Sequence, residues 1–106
     1  MTYTLIVSES ARIDLRNIYE YIEKELQVPQ TAKKVIRQLL AKIENLKSMP
    51  RIYKKYPHEP LKTKEIRYIP VKNYIIFYKI FEETKTVVIS RIIYGGREIK
   101  NQMIEF

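Results

Sequence analysis

Residues 67–98 read RYIPVKNYIIFYKIFEETKTVVISRIIYGGRE. β-branched and aromatic side chains dominate residues 65–69, 74–81 and 86–94, the composition of strands that pack on a pleated surface. Glu82-Glu83-Thr84-Lys85, between the last two runs, is polar and of hairpin-loop length. Those two runs are almost continuously apolar, which predicts central strands with one face beneath another layer. The Gly95-Gly96 pair ahead of Arg97 reads as a turn, with glycine's freedom at positive φ as the expected reason for it.

Working outward toward the N-terminus, Tyr3, Leu5 and Val7 fall on one side of an extended segment, the pattern of a short strand with one buried face. Ser8-Glu9-Ser10 then predicts a helix start, since a serine accepts from an orphan backbone N–H and Glu9 suits the positive end of the helix dipole. Ala11, Leu15, Ile18, Ile22 and Leu26 draw one apolar stripe along that helix. Val28-Pro29 breaks it. A second helix is predicted over residues 31–47, with Ala32, Val35, Ile36, Leu39, Leu40, Ile43 and Leu46 on its buried face, ending at Pro50. The short connection implies an antiparallel helical hairpin. Residues 51–60 are basic, aromatic and proline-containing without a period, and read as an ordered surface loop. The whole is an α+β arrangement, β-α-α-β-β-β, with the hairpin covering one side of a small, mainly antiparallel sheet.

A chain of 106 residues is expected to form one domain, 1–106, around one core. No apolar run approaches the ~18–20 residues of a membrane span, and the N-terminus lacks the basic start and cleavage site of a signal peptide, so a cytoplasmic protein without a membrane partner is expected. The chain has no cysteine and a single histidine, which excludes disulfides and thiolate sites and leaves no cluster for zinc; neither metal nor cofactor is expected.

The net charge of +8 is unevenly placed. Residues 47–79 hold nine lysines and arginines (Lys47, Arg51, Lys54, Lys55, Lys62, Lys64, Arg67, Lys72, Lys79) against Glu59 and Glu65, so seven of the eight excess charges lie in that third of the chain. Such a field favours a polyanion or an acidic protein, and a merely solvated basic surface is the plainer alternative.

Two runs, Val71-Lys72-Asn73-Tyr74-Ile75-Ile76-Phe77-Tyr78-Lys79 and Val88-Ile89-Ser90-Arg91-Ile92-Ile93-Tyr94-Gly95-Gly96-Arg97, preceded by two helix-like segments, resemble the RelE/ParE superfamily of bacterial toxins, the toxic halves of type II toxin–antitoxin pairs. The resemblance implies an acidic antitoxin as partner, a toxin–antitoxin hetero-oligomer, and an essential nucleic-acid machine as target. RelE-type members cut ribosome-bound mRNA without a metal, which calls for a base, cations around the phosphate and an acid for the leaving oxygen. If that chemistry operates here, the resemblance makes Arg97, Arg67, Lys64 and Lys62 the candidate residues. Ribonuclease members keep an arginine directly after the central-strand tyrosine, where this chain has Ile75, and a tyrosine or histidine near the C-terminus, which residues 98–106 lack.

ParE-type members, which poison DNA gyrase, are similar at more positions. Their pattern is met by Arg67, Val71, Asn73, Tyr74, Ile76, Phe77, Tyr78, Arg91 and Arg97, with Tyr94 in place of a histidine. Gyrase poisoning calls for no catalytic residues, and Arg97, Arg67 and Arg91 become candidates for target contact. A degenerate toxin that only holds its antitoxin as co-repressor is the third alternative. Tyr74, Phe77 and Tyr78 read first as core or sheet-face aromatics, and His58 as an exposed loop residue.

Overall fold

The computed structural model describes residues 2–95. Strand β1 (Thr4–Val7) leads into helix α1 (Glu9–Glu20), which ends in a π-helical stretch, Tyr21–Glu25; helix α2 (Pro29–Asn45) follows, then β2 (Arg67–Val71), β3 (Tyr74–Phe81) and β4 (Thr86–Tyr94). The sheet order is β1-β4-β3-β2, with β1 parallel to β4 and the other pairs antiparallel. This is the α+β arrangement that the patterning predicts. The two apolar runs are indeed the central strands.

Ser8 ties three elements together. Its Oγ accepts from the Ala11 N–H and donates to the Ser90 carbonyl, while its own N–H reaches the Ile89 carbonyl. One serine thus caps α1 and fixes the direction in which the helix leaves the sheet. The inner face is packed by Ala11, Ile18 and Ile22 from α1 and its π turn, by Ala32, Leu39 and Ile43 from α2, and by Ile69, Ile76, Tyr78, Val87, Ile89 and Ile92 from the sheet. Burying each of the larger aliphatic side chains contributes about 1.5–3 kcal/mol. Tyr78 is fully buried there, and its hydroxyl donates to the Pro50 carbonyl at 2.6 Å.

Several boundaries differ from the sequence expectation. Pro29 opens α2 at its first position instead of only closing the previous helix, because a first-turn N–H has no intrahelical acceptor and its absence costs no hydrogen bond. Leu26 falls off the α1 stripe and is 53% exposed: the wider π turn, closed by the Leu26 N–H on the Tyr21 carbonyl, rotates it away. Strand β2 begins at Arg67 instead of residue 65, since Glu65 occupies the left-handed region at φ 58 in a turn. Pro70 is tolerated inside β2 because that strand is an edge. Gly95 does not have positive φ. A side chain there would place its Cβ 3.3 Å from Ile75 Cδ1 and Cγ1, so close approach of β4 to β3 is the reason for the glycine.

The expected surface loop is ordered by more than its prolines. Lys55 bridges antiparallel to Arg67, the Tyr68 N–H reaches the Lys54 carbonyl and the Tyr56 N–H the Ile66 carbonyl. The chain then folds over the sheet face opposite the helices, where Leu61, Ile66, Phe77 and Ile93 form a second buried cluster flanked by Tyr56, Tyr68 and Ile75.

Candidate functional site

Two surfaces carry the residues of interest. The first is an open cleft of about 550 Å³ between the end of α1 and the β3–β4 end of the sheet, with Asn17, Tyr21, Leu26, Asn73, Tyr74 and Tyr94 among its walls and Asp14 and Arg91 at its base. The π turn leaves Tyr21 half exposed at the rim. Tyr74 and Tyr94 meet edge to face, ring centroids 5.8 Å apart. Burial, and then the neighbouring Tyr94 and Tyr21, push the Tyr74 phenol pKa up, so the Tyr74 hydroxyl stays neutral near pH 7. Such a wall of half-buried tyrosines suits hydrogen-bonding and apolar contact rather than proton transfer.

Arg91 is committed to this cleft's frame. The β3–β4 ladder slips after Phe77, which pairs with Arg91, whereas Tyr78 pairs with Ile89. Ser90 is the extra residue of a bulge, and bulges re-aim side chains. Arg91 donates from Nε and Nη2 to the two carboxylate oxygens of Asp14 at 2.8 and 2.9 Å, and the Ile92 N–H donates to the same carboxylate at 2.8 Å. Beyond Val7 the edge of β4 has no strand beside it, and Asp14 supplies the acceptor that a strand would have given. Both side chains are only 12% exposed.

The second surface is the turn over the outer sheet face. Leu61 is fully buried against Phe77 and Ile93, and Ile66 closes the other end, so the intervening Lys62 and Lys64 are presented from a pinned turn. The Lys62 N–H reaches the His58 carbonyl, the Ile66 N–H the Leu61 carbonyl, and Glu59 accepts from the N–H and hydroxyl of Thr63. Those two Thr63 bonds hold the Glu59 carboxyl pKa below its usual range. Beneath the turn, Tyr56 is packed edge-on against His58, Tyr68 and Phe77 at centroid distances of 5.5, 5.3 and 5.4 Å. Burial raises the Tyr56 pKa, which keeps its hydroxyl protonated.

The residues singled out from sequence are therefore not gathered at one point. Lys62 and Lys64 ride on the outer face. Arg67 points to the inner side, where Nη1 donates to the Tyr53 carbonyl at 2.6 Å, and Glu65 pairs with Lys55. Arg67 pairs with Tyr78, four residues along β3 from the Tyr74–Tyr94 pair, so it stands about 13 Å up the sheet from the end of β4. Arg97 lies outside the described residues. Asp14 went unnoticed in the sequence, although a signal was present: at three residues after Ala11 and four before Ile18, it is a carboxylate on the buried stripe. Among the described residues no group of His, Cys, Asp or Glu is arranged to hold a metal ion, and no helix is long and apolar enough to cross a membrane.

Solved structures with the same fold include a chromosomal ParDE toxin–antitoxin system from P. aeruginosa (TM-score 0.71, 20% identity, covering 88% of this chain and 96% of that one). Others are the RelBE2 toxin–antitoxin complex from Mycobacterium tuberculosis (0.61, 23%, 89% and 92%) and the isolated E. coli RelE toxin (0.62, 21%, 96% and 95%). No curated protein matches the sequence significantly. The family model described as the ParE toxin of the type II toxin–antitoxin system parDE matches residues 5–99. With that match spanning nearly the whole sequence, the chain belongs to the ParE toxin family of type II toxin–antitoxin systems.

Proposed function

We propose that this toxin arrests growth by poisoning DNA gyrase and is held inactive by a cognate acidic antitoxin. The observation that carries the choice of target is the setting of Ile75. At the strand position where ribonuclease relatives keep an arginine, this chain packs a hydrocarbon side chain against Leu61, Ile66, Phe77 and Ile93, with Gly95 pressed close beside it. A pentavalent phosphorane needs fixed cations and a proton donor at the reacting centre, and losing one such group costs about 100-fold or more in rate. A layer of aliphatic and aromatic carbon supplies neither. The antitoxin reading draws support from the ParDE and RelBE neighbours, which are toxin–antitoxin assemblies, and from the excess positive charge of the chain.

One observation favours the other target: Lys62, Lys64 and His58 share one pinned turn, a plausible phosphate cradle for RNA. Induction in cells lacking the antitoxin separates the two. Relaxation of a reporter plasmid with intact transcripts is the outcome for gyrase. Codon-phased 5′ ends on translated messages, with plasmid supercoiling unchanged, transfer the function to ribosome-dependent mRNA cleavage.

A further inference from the structure

The two helices divide their charge unequally. From residue 26 to residue 43 the sequence has no aspartate or glutamate but carries Lys33, Lys34, Arg37 and Lys42. Three of these form one cluster. Arg37 follows Lys33 by four residues and Lys34 by three, the spacings at which side chains are neighbours on a helix, and all three are exposed on α2. Lys42, five residues past Arg37, falls on another side of the helix. Ala32, Leu39 and Ile43 fill the inward side, so the cluster faces away from the sheet.

Like charges at these spacings work against a helix, and the fold brings no acid to relieve them. The ion pairs of the described residues are Lys47–Glu44, Arg51–Glu82, Lys55–Glu65, Lys85–Glu82 and Arg91–Asp14, and none engages the cluster. Glu44, the one acid of α2, lies seven residues beyond Arg37, about 10 Å along the axis, and is held by Lys47 at 2.8 Å. Glu23 of the π turn accepts from the Tyr19 hydroxyl at 3.0 Å. No ion pair joins Glu20, Glu23 or Glu25 to any of the three cations. α1 is patterned differently, with Glu20 four residues after Arg16, an attractive spacing.

The side chains around the cluster decide which anion it suits. α2 contains no aromatic residue. Gln30 and Ala41 continue the exposed side at either end of the cluster, and Leu40, 44% exposed, lies at its edge. A protein interface concentrates its energy in apolar or aromatic anchors at its centre, with charge at the rim; here charge is central and the exposed leucine is peripheral. Single-stranded nucleic acid is held by stacking bases on free rings, and there are none on this helix. Three cations on a rigid helix without a ring fit the phosphate backbone of a duplex, which is held by charge.

We propose that the face of α2 formed by Lys33, Lys34 and Arg37 is a contact surface for the phosphate backbone of duplex DNA, so that the toxin touches DNA as well as protein in the complex it acts on. The choice of DNA as the polyanion rests on the gyrase reading. The contact itself is measured without gyrase.

The experiment is fluorescence anisotropy of the full chain with a labelled 30-base-pair duplex over a salt series. Three phosphate contacts give a slope of log affinity against log salt of about −2.7, a loss of ~40-fold between 50 and 200 mM. Lys33→Gln/Arg37→Gln leaves one contact, and the slope falls to about −0.9, a loss of ~3.5-fold over the same range. Glutamine is as good a helix former as the residues it replaces, so the helix is kept. Lys54→Gln/Lys62→Gln, on exposed residues of the chain that folds over the opposite face of the sheet, is the charge-matched comparison and keeps the wild-type slope. Equal slopes for the two double variants overturn the assignment to α2. Unlabelled duplex, single-stranded RNA and polyglutamate of equal charge then compete for the bound toxin, and the duplex is expected to displace it at the lowest concentration. Tenfold stronger displacement by the RNA overturns duplex DNA as the ligand, and the same result with polyglutamate makes the partner an acidic protein. Gyrase inhibition by the same proteins is scored separately: duplex binding through α2 without gyrase inhibition removes the gyrase reading and keeps the surface, whereas full inhibition by a Lys33→Gln/Arg37→Gln protein that no longer binds DNA removes the surface and keeps the reading.

Discussion

Replacing Asp14 by alanine removes one carboxylate and three hydrogen bonds at once, two from Arg91 and one from the Ile92 N–H. With each side chain only 12% exposed, the change belongs to the class in which one member of a buried pair is deleted, which costs about 3–5 kcal/mol because the other charge stays behind in a poorly solvated site. That is a large part of the roughly 5–15 kcal/mol that holds a domain of this size together. At ~2.1 cal/mol/K of unfolding entropy per residue, a 106-residue chain has an unfolding entropy near 0.22 kcal/mol/K, so the melting temperature should fall by about 13–22 °C. Asp14→Asn keeps an acceptor for the Ile92 N–H and one for Arg91 but loses the charge, and should fall between wild type and Asp14→Ala. Asp14→Ala/Arg91→Met removes the stranded cation and should recover part of the loss, a positive coupling of at least ~1 kcal/mol in a double-mutant cycle. Thermal melts by circular dichroism read all four proteins. A drop under about 4 °C for Asp14→Ala would show that the pair behaves like an exposed surface bridge, and the account of how α1 is fastened to β4 would be wrong.

Two further outcomes are expected from the same packing. Burial of the Tyr78 hydroxyl pushes its pKa up to about 12 from an ordinary value of 10.0. A raised folded value means that the neutral form is the one folding favours: stability is complete below pH 10 and is lost as pH rises through about 12, by on the order of 2–3 kcal/mol. Tyr78→Phe should abolish that part of the alkaline loss in urea melts, while lowering stability at neutral pH by about 1–3 kcal/mol, because the Pro50 carbonyl loses its donor. Leu61→Ala opens a cavity under the basic turn and should cost about 2–5 kcal/mol, with faster amide exchange over residues 58–66 than elsewhere in the sheet.

How far the sequence carried the fold is clearest at β3 and β4. Their continuous apolar character and the polar four residues between them located both strands and the hairpin, because burial on both sides leaves little freedom in composition. The Ser8 cap was equally legible, being a local interaction that follows from residue type. What the sequence hid is non-local. The π turn that exposes Tyr21 and Leu26 is a packing adjustment with no residue signature. The bulge at Ser90 depends on the register between strands, which no single residue in the sequence announces, and the Arg91–Asp14 pair joins positions 77 residues apart. Arg67 likewise looked like a neighbour of Lys62 and Lys64 by position in the chain. Strand alternation sends it to the opposite face, onto the Tyr53 carbonyl.

Ile75 is the residue on which the functional account turns, since its apolar setting is the reason for assigning the toxin to gyrase instead of to messenger RNA. The most direct test uses the purified chain in two parallel reactions, one with gyrase, ATP and relaxed plasmid, the other with programmed ribosomes carrying an end-labelled message. The account predicts loss of supercoiling, with gyrase–DNA cleavage complexes accumulating, and an intact message at the same toxin concentrations; cleaved message beside fully active gyrase would contradict it.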